Sequence, residues 1–361
     1  METAPLNDIF EDIKYSLGLC HDIVADGELQ KLPHANGFVG ELYAFEGHLR
    51  INENIRYKLV AKIMKINSTF TPEMQENLKK IHNLECDVYK LLREHFRSTN
   101  LKLQTYALIK FMDEDDDSAY IVMEHVDNLM PTSVCDTLTK SEMEQILENL
   151  ALFHSTTCDD EHFGEELFSN NVIGMFRDDL VPLTMKHLQK LTESQEKGDI
   201  YGEAAKVLVN LLKAGEMKKF NDKYGRVFCH GDTWQSNILF VNDNGTRKFR
   251  AFIDFQTTHM GSPAIDLARL FCGCLTRKDL NDHTHHFLKF YYEKLSAIKQ
   301  PQFSFEQLKE AYDIMYPLQV YLQLANAAFL GEQEMQNKSA EERKAFVNNI
   351  NSLVDDLKKV L

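Results

Sequence analysis

Two segments with the composition of β-strands lie in the first part of the chain. Residues 38–45 (FVGELYAF) and 56–66 (RYKLVAKIMKI) are rich in strand-forming side chains. Gly47 and the polar stretch INENI separate them. Apolar runs divided by turn-forming residues predict two adjacent antiparallel strands.

A helical pattern follows. Thr71 and Pro72 have the residue types preferred at an N-cap and at the first helical position. Apolar residues then recur at helical spacing, namely Leu78, Ile81, Val88 and Leu92. Two further apolar runs, QTYALIKFM and SAYIVMEHV, flank the acidic sequence DEDDD, which predicts a hairpin with a solvated tip.

From residue 140 onward the pattern is mainly helical. An apolar stripe of helical period runs through SEMEQILENLALFHSTT, whereas residues 159–200 are polar and irregular and suggest an insertion. Residues 204–220 are helical again. Two strand-like runs, RVFCHGDTWQSNILF and RKFRAFIDFQ, then flank the turn sequence NDNG. The remainder is helical, and Ser339 with Glu342 predicts a capping box for the last helix.

The order of these elements predicts the fold class. A chain of 361 residues exceeds the roughly 250–300 residues that one hydrophobic core supports. We therefore predict an α+β protein with two lobes. The smaller lobe, residues 1–126, contains an antiparallel sheet and one helix, and the larger lobe, residues 127–361, is mainly helical.

Composition and charge narrow the class of partner. With 43% hydrophobic and 26% charged residues the chain is typical of globular proteins. A net charge of −15 argues against nucleic acid or an anionic membrane as the main partner. The seven cysteines include no CxxC pair, which is typical of reduced thiols in an intracellular protein.

The sequence also bears on location. The N-terminal segment is acidic and lacks the basic start and unbroken apolar run of a signal peptide. The longest apolar region, residues 316–330, is interrupted by Gln319, Gln323 and Asn326, so we expect a core helix there and not a membrane span. The cytoplasm is the expected location.

The stretch CHGDTWQSNILF, residues 229–240, carries the first candidate chemistry. Asn237 follows Asp232 by five residues, after His230 and Gly231. Phosphoryl transfer to a hydroxyl uses a carboxylate to orient that hydroxyl and an oxygen ligand for magnesium. The protein-kinase loop H-R-D-L-x-x-x-N has the same spacing. The alternative is a polar turn that leads into the strand NILF.

Asp254 follows the strand-like run AFI, one predicted hairpin after that loop. A carboxylate at this place can hold magnesium against nucleotide phosphates. Alone, it could equally be an ordinary residue at a strand end. Its position shortly after the HGDxxxxN sequence favours the functional interpretation.

Lys62 interrupts the apolar strand LVAKI. A buried lysine is costly unless its ammonium group has a partner. Glu85 lies on the apolar stripe of the following predicted helix, four residues after Ile81 and three before Val88, so it would point inward toward this lysine. The alternative is an edge-strand lysine that reaches solvent.

The sequence MEHV lies at the predicted boundary of the two lobes. In a nucleotide kinase, this backbone would bind adenine through the carbonyl of Glu124 and the amide of Val126. These residues alone are equally compatible with an ordinary strand end.

Taken together, these residues resemble the kinase-like superfamily that includes choline kinases and aminoglycoside phosphotransferases. The sequences HGDTWQSN, with Trp234, and DFQ, with Gln256, most resemble the ecdysteroid-kinase-like (CHK kinase-like) branch. Choline kinases tend to have Asn in place of Gly231 and Glu in place of Gln256. The resemblance covers roughly residues 35–295 and implies a two-lobed protein-kinase-like fold.

The resemblance implies a role for each matching residue. Asp232 would be the catalytic base, with Asn237 and Asp254 as magnesium ligands. Lys62 would bind the α- and β-phosphates of ATP, and Glu85 would orient it.

Two further roles follow from the same resemblance. Asp266, in SPAIDLARLF, would support the catalytic loop together with His230. The phosphate-covering loop of protein kinases is G-x-G-x-x-G, but here only Gly37 and Gly40 stand in NGFVGELY. ATP and magnesium are the implied cofactors.

The spacing between the two late aspartates favours a small-molecule substrate. Only eleven residues separate Asp254 from Asp266, and no A-P-E sequence follows. Protein kinases use a longer segment there to dock peptides. A steroid, a choline-like amine, a sugar and a xenobiotic glycoside all remain open, as does the oligomeric state.

Two other functions stay open at this point. The chain could be a catalytically silent nucleotide-binding or scaffold protein with a kinase fold. It could also bind a metal through DHTHH, where His283 and His286 have a spacing that permits ligation from a helix. A solvent-facing histidine cluster on a helix is the expected interpretation of DHTHH.

Overall fold

The computed structural model describes residues 5–36, 40–64, 71–98, 101–102, 104–113, 119–130, 132–165, 180–208 and 214–361. The chain divides into two compact units. Unit 1 comprises residues 1–97 and 103–128, and unit 2 comprises residues 98–102 and 129–361. The sequence predicted the boundary after residue 126.

Within its described residues, unit 1 contains an antiparallel sheet and two helices. Its elements in chain order are α1 (Leu6–His21), β1 (Ile23–Asn36), β2 (Gly40–Leu49), β3 (Asn52–Met64), α2 (Pro72–Ser98), β4 (Tyr106–Lys110) and β5 (Tyr120–Glu124). The strand order is β1-β2-β3-β5-β4, so β3 lies in the centre of the sheet. The predicted acidic hairpin tip falls on residues 114–118, outside the described residues.

One face of this sheet packs on α1. The apolar residues of α1 form a buried cluster with side chains of the strands, among them Phe45, Ala61 and Val122. Side chains alternate between the two faces of a strand. Lys62, next to Ala61, therefore points to the opposite face, where it contacts α2.

Helix α1 and strand β1 were not predicted. The helix buries Ile9, Phe10, Ile13 and Leu17, but charged residues surround these positions in the sequence. Strand β1 contains Gly27 and Pro33, residues that usually argue against a strand. Its pairing with β2 is irregular between Asp26 and Gln30, and this accommodates the glycine.

Unit 2 is mainly helical. Its helices in chain order are α3 (Lys140–His154), α4 (Leu180–Thr192), α5 (Gln195–Leu208), α6 (Ala214–Tyr224), α7 (Ala264–Cys274), α8 (Arg277–Ile298), α9 (Phe305–Glu334) and α10 (Ala340–Leu357). Its short strands are β6 (Leu129–Met130), β7 (Val227–Cys229), β8 (Ile238–Asp243), β9 (Thr246–Phe252) and β10 (His259–Gly261). Strands β6, β8 and β9 form one sheet, and β7 and β10 form another.

The turn between β8 and β9 follows its sequence closely. Asn244 and Gly245 have φ values of 53° and 87°. Two successive residues with positive φ make the tight turn that suits the twist of a two-stranded hairpin. The NDNG sequence therefore predicted both the hairpin and its place in the chain.

The predicted irregular insertion at 159–200 is wrong for its second half. Residues 166–179 lie outside the described residues, but α4 and the start of α5 occupy 180–200. Leu188 and Leu191 are buried on α4. Gly198 permits the close packing of the two helices, because a Cβ there would lie 2.6 Å from the side chain of Gln189. The polar residues that suggested a loop are the outer faces of a helix pair.

The predicted α+β fold class is confirmed, with an antiparallel sheet in the N-terminal unit and a mainly helical C-terminal unit. The predicted capping box of Ser339 and Glu342 begins α10. The apolar region 316–330 lies inside α9, as expected of a core helix. Within the described residues, no helix combines the length and the apolar character that crossing a membrane requires.

Candidate active site

The HGDTWQSN sequence forms a buried loop between two strands of unit 2. It begins directly after β7 and ends in a single 3-10 turn, Gln235–Asn237, that leads into β8. His230 is fully buried and Asn237 is nearly so, whereas the side chain of Asp232 keeps 22% exposure. The loop thus presents one carboxylate toward solvent from an otherwise buried frame.

Both carboxylate oxygens of Asp232 are held. Nε and Nη2 of Arg269, on α7, donate to Oδ1 at 3.0 and 2.8 Å. Nδ2 of Asn237 donates to Oδ2 at 3.0 Å and to the backbone oxygen of Asp232 at 2.9 Å. Hydrogen bonds to both oxygens set the plane of the carboxylate, whose last torsion is otherwise loosely defined.

The same contacts orient Asn237. Because its Nδ2 group makes both hydrogen bonds to Asp232, its Oδ1 atom faces the other way. An amide oxygen is a ligand that Mg²⁺ accepts, as is the carboxylate of Asp254. The donor set therefore fits the magnesium role predicted for Asn237 and Asp254.

Asp254 lies two residues beyond the end of β9 in a left-handed conformation, with φ of 67°. Such a conformation is uncommon for residues other than glycine and is concentrated at functional sites. Nε2 of Gln256 donates to Asp254 Oδ2 at 3.3 Å. An amide at position 256 stabilises the carboxylate, whereas a glutamate there would repel it.

His230 links the loop to the strand end that carries Asp254. Its Nε2 donates to the backbone oxygen of Ile253 at 3.0 Å, and its Nδ1 accepts from the backbone amide of Asp232 at 3.3 Å. The amide of Ile253 donates in turn to the oxygen of Asn237. Both the carbonyl oxygen and the amide of Ile253 are therefore hydrogen-bonded to the loop. These two bonds position the main chains at Asp232 and Asp254 together.

Asp266 holds the backbone of the loop from α7. It is fully buried, and its Oδ2 accepts from the amide of His230 at 2.7 Å while its Oδ1 accepts from the amide of Gly231 at 2.8 Å. The hydroxyl of Thr233 donates to the backbone oxygen of Asp266. The supporting role predicted for Asp266 has a direct geometric basis here.

His154 of α3 completes the surroundings of Asp266. Its Nε2 lies 2.9 Å from Asp266 Oδ2, and its Nδ1 lies 2.6 Å from the hydroxyl of Tyr291. Burial alone would raise the pKa of Asp266, but the hydrogen bond and charge of His154 and the hydrogen bond from the Gly231 amide together hold this pKa below its ordinary value.

Cys229 also lies within 4.8 Å of His154 and Asp266, a grouping that could in principle hold a metal ion. Its thiol instead donates to the backbone oxygens of Gly261 and Ser262, and burial raises its pKa well above the ordinary value. A protonated thiol is a poor metal ligand. This grouping is therefore a hydrogen-bonded core that supports the loop.

Gly231 occupies a position that tolerates no side chain. Its φ is 87°, and a Cβ there would lie 2.2 Å from the backbone oxygen of Thr257. The close approach of these two segments brings the loop against the chain that follows Asp254. Glycine in place of the arginine of protein kinases is thus a steric requirement of this loop.

A Gly231→Ala variant is expected to be clearly destabilised. The left-handed conformation alone costs about 1–3 kcal/mol for a residue other than glycine, and the overlap with Thr257 adds to this. Gly245→Ala is the matched control, because Gly245 has the same φ of 87° but nothing within 4 Å of the added Cβ. Thermal unfolding of both variants measures the difference, and equal melting temperatures would contradict the steric argument.

In unit 1, Lys62 and Glu85 form the predicted pair. Their Nζ and Oε2 atoms are 2.6 Å apart, and the side chains are 13% and 1% exposed. Lys62 is paired on one side with Leu42 of β2 and on the other with Ile121 of β5. A central strand excludes the interpretation of Lys62 as an edge-strand lysine.

Gly40 packs directly beside Lys62. A Cβ at Gly40 would lie 2.9 Å from the backbone oxygen of Ile63 and 3.4 Å from Cγ of Lys62. The glycine therefore lets the start of β2 lie against the stem of the lysine. Gly37, the other glycine predicted to contact phosphate, lies outside the described residues.

The predicted adenine-binding backbone lies at the end of β5. The carbonyl of Glu124 accepts a hydrogen bond from Nε2 of Gln104 at 2.8 Å. Val126 is buried. The adenine contacts of Glu124 and Val126 stay predictions.

Three residues around Asp232 were missed by the sequence interpretation: Arg269, His154 and Thr233. Arg269 had a usable signal. It is a cation within the apolar helix sequence AIDLARLF, the same kind of anomaly that identified Lys62. His154 and Thr233 had no such signal, because their contacts join elements that are distant in sequence.

The DHTHH sequence lies on α8, where His285 and His286 are exposed. Nε2 of His286 is 2.8 Å from a carboxylate oxygen of Glu144. Among the described residues, the one close cluster of three His, Cys, Asp or Glu side chains is that of His154, Cys229 and Asp266, which includes none of the DHTHH histidines. The structure thus agrees with the expected solvent-facing histidine cluster.

Solved structures with likeness to this chain include two kinases of parasites. Ethanolamine kinase of Plasmodium vivax is 17% identical with a TM-score of 0.48, and the alignment covers 96% of this chain and 87% of that one. Choline kinase of Cryptosporidium parvum is 14% identical with a TM-score of 0.48, and the alignment covers 96% and 97% of the two chains.

Among curated sequences, the chain is similar to the uncharacterized kinase-like protein D1044.1 of Caenorhabditis elegans. The two are 30% identical over 182 residues, which are 48% of this chain and 46% of that protein. The match thus spans about half the length of the relative. The kinase-like resemblance inferred from the sequence is confirmed, and the narrower ecdysteroid-kinase-like branch stays a prediction.

Family membership is shown by a match over almost the whole chain. The sequence model of DUF1679, described as "Uncharacterized oxidoreductase dhs-27", matches residues 6–361. The match therefore covers both units, and the chain belongs to the DUF1679 family.

Proposed function

We propose that this chain is an ATP- and Mg²⁺-dependent phosphotransferase that phosphorylates a hydroxyl group of a small molecule. The observation that supports this most is the setting of Asp232. Its carboxylate is fixed by Arg269 and Asn237 and keeps partial exposure. Such a carboxylate can orient an alcohol and accept its proton as the phosphoryl group transfers.

Magnesium fits the oxygens of Asn237 and Asp254, and Lys62, held by Glu85, would bind the phosphates of ATP. When bound, the metal ion neutralises charge on the phosphates. The residues of the chain position the reacting groups. Asp232 would hold the acceptor hydroxyl in line for attack and take its proton, while His230 and Asp266 keep the loop in place.

The segment after Asp254 supports a small-molecule acceptor. Strand β10 pairs with β7 within this segment, and α7 begins at Ala264. Phe255, Thr258 and Ser262 are fully buried. A short segment that is largely buried leaves little platform on which a peptide could dock, which distinguishes it from the longer one of protein kinases.

The word oxidoreductase in the family description refers to the protein dhs-27 and not to this chain. Dinucleotide-dependent oxidoreductases bind their cofactor on parallel strands after a G-x-G-x-x-G turn. This sequence has no such motif, and all strand pairs among the described residues are antiparallel. These features favour phosphoryl transfer.

The proposal is tested first by nucleotide binding. We expect Mg²⁺-ATP to raise the melting temperature of the purified protein, and Lys62→Met to weaken the Mg²⁺-ATP affinity about 10–100-fold, because charged hydrogen bonds contribute about 1.5–3 kcal/mol. Lys31→Met is the matched control, since Lys31 forms a 2.6 Å pair with Glu41 and is half exposed. Titration below the melting temperature measures both affinities.

Turnover decides between the two kinase-fold functions. The protein with Mg²⁺-ATP is incubated with steroid, amino-alcohol and aminoglycoside acceptors, and phosphorylated products are sought by mass spectrometry. Transfer that chelation of Mg²⁺ abolishes supports the proposal. A Mg²⁺-dependent ATP shift without transfer to any acceptor would favour the silent nucleotide-binding alternative, and the lack of a shift would contradict both.

A further inference from the structure

Helix α7 carries a buried cation one turn after Asp266. Arg269 is 3% exposed, and every residue of α7 is buried. A guanidinium group is costly to bury unless an anion and hydrogen bonds compensate for the lost water. The compensating anion is Asp232, the proposed catalytic base.

The geometry of this pair is specific. Two N–H groups of Arg269 converge on the single oxygen Oδ1 of Asp232, at 3.0 and 2.8 Å. The guanidinium carbon also lies 5.7 Å from the ring centre of Trp234, within cation–π range. Arg269 therefore contacts the two side chains of the loop that flank Thr233.

Asp266 and Arg269 act on different parts of the loop. Asp266 binds backbone amides of His230 and Gly231, so it already holds the main chain. Arg269 contacts side chains of the loop, namely the carboxylate of Asp232 and the ring of Trp234. Arg269 is thus suited to set the direction of the carboxylate and not the path of the chain.

We propose that Arg269 is the positioning residue of Asp232. By holding Oδ1 it directs Oδ2 toward the acceptor hydroxyl, with Asn237 on the other side of the carboxylate. Trp234 backs the guanidinium group and limits its movement. This inference rests on the proposed function for its catalytic consequence, but the Arg269–Asp232 coupling itself can be measured without turnover.

Arginine is needed here because its planar group offers two N–H donors to one oxygen. A lysine keeps the charge but provides a single mobile ammonium group. We therefore expect Arg269→Lys to retain part of the activity and Arg269→Met to lose more. A role limited to the packing of the side-chain stem would be served about equally well by methionine.

The kinetic test uses the acceptor found by the turnover screen. Arg269→Met is expected to lower kcat about 100-fold, since a misplacement of about 1 Å can cost that much, with the KM for ATP within about threefold of wild type. Arg269→Lys should recover part of kcat. A kcat within about twofold of wild type in Arg269→Met would overturn the proposal.

Arg247 supplies the matched control. It also pairs with a carboxylate, that of Glu142 at 2.7 Å, and its guanidinium carbon lies 5.8 Å from the ring centre of Phe240. Its hydrogen bonds go to Glu142 and to the backbone oxygen of Thr137, so it holds the start of α3 and not the proposed site residues. Arg247→Met and Arg247→Lys are expected to lower the melting temperature without lowering kcat at assay temperature.

The second readout needs no substrate. Trp234 is the only tryptophan of the chain, so its fluorescence reports on this loop alone. We expect Asp232→Asn to change the Trp234 emission in the wild-type background, because it alters the charge balance of the guanidinium group. The same change should be absent in the Arg269→Met background.

This double-mutant cycle separates the inference from the proposed function. If no acceptor is phosphorylated, the function fails, and the fluorescence cycle still decides whether Arg269 couples Asp232 to Trp234. Equal effects of Asp232→Asn in both backgrounds would overturn the positioning role. If Arg269→Met does not fold, Arg269→Lys enters the same cycle, where a reduced coupling is expected and an unchanged one contradicts the proposal.

Discussion

Asp232→Asn is expected to lower phosphoryl transfer about 10²–10⁴-fold, the range that a general base contributes. Asparagine has nearly the same shape and keeps an oxygen that can accept from Arg269, although its NH₂ group would face Nδ2 of Asn237. Asp266 still holds the backbone of the loop, so the loop retains its path. Asparagine cannot take the proton of the acceptor hydroxyl. The measurement is the rate of acceptor phosphorylation at saturating Mg²⁺-ATP.

A second measurement shows where the effect arises. Mg²⁺-ATP affinity is expected to fall far less than the transfer rate, because Lys62 and Asp254 are unchanged and Asn237 keeps its hydrogen bond to the backbone oxygen of residue 232. Asp243→Asn is the matched control, since this exposed aspartate lies at the β8–β9 turn of the same unit. Unchanged transfer in Asp232→Asn would contradict the assignment of the base.

The Asp232→Asn variant also tests how far the buried guanidinium group of Arg269 depends on a charged partner. Removing the charge of Asp232 leaves Arg269 with a neutral partner, so we expect some loss of stability as well. The partial exposure of Asp232 limits this loss through solvent screening. Activity should therefore be compared at a temperature where both proteins are fully folded.

Asp266→Asn is expected to lower the free energy of unfolding by about 3–5 kcal/mol, the usual cost of removing one partner from a buried charged network. Both oxygens of Asp266 accept hydrogen bonds from backbone amides. An amide NH₂ in place of either oxygen would face a donor, so no orientation of asparagine satisfies the site. Urea unfolding of the two proteins measures the difference.

The pH dependence of this difference has a defined sign. The folded-state pKa of Asp266 is held below its ordinary value, which is about 3.9 in unfolded chains. The contribution of the carboxylate is therefore fully present above about pH 4–5 and is lost as pH falls through the folded-state pKa. The gap in stability between wild type and Asp266→Asn should narrow below about pH 4.

Asp282→Asn is the control for this pair of measurements. Asp282 forms an exposed ion pair with Lys278 one turn away on α8. Surface substitutions of this kind usually change stability by less than about 0.5 kcal/mol. A loss below about 1 kcal/mol in Asp266→Asn, or a gap that widens in acid, would contradict the role of Asp266.

Much of the fold was predictable because local patterns were consistent with the final structure. The strands around Lys62, the helix that begins at Pro72 and the NDNG hairpin all followed from periodicity and turn chemistry. Strand β1 was not predictable, because its glycine and proline argue against a strand and its pairing with β2 compensates for them. Helix α4 was missed because its buried face is narrow, and the start of α5 was missed with it, whereas the end of α5 was predicted as helical.

The candidate site was predictable to the extent that its residues are unusual in their sequence context. Lys62 and Glu85 are charges at apolar positions, and the structure pairs them. The same reasoning applied to Arg269 would have found it. His154, Thr233 and Tyr291 are ordinary in sequence, and only packing brings them to Asp266 and its partners.

The sequence by itself determined the α+β class, the order of the elements from β2 to β5 and the residue types of a kinase-like loop, because periodicity, turn residues and motif spacing are local properties. The tertiary structure alone decided how the loop is held. Arg269 lies 37 residues from Asp232, and His154 lies 112 residues from Asp266. Contacts over such separations depend on how helices pack, and side-chain direction in a packed core is not encoded in any short segment.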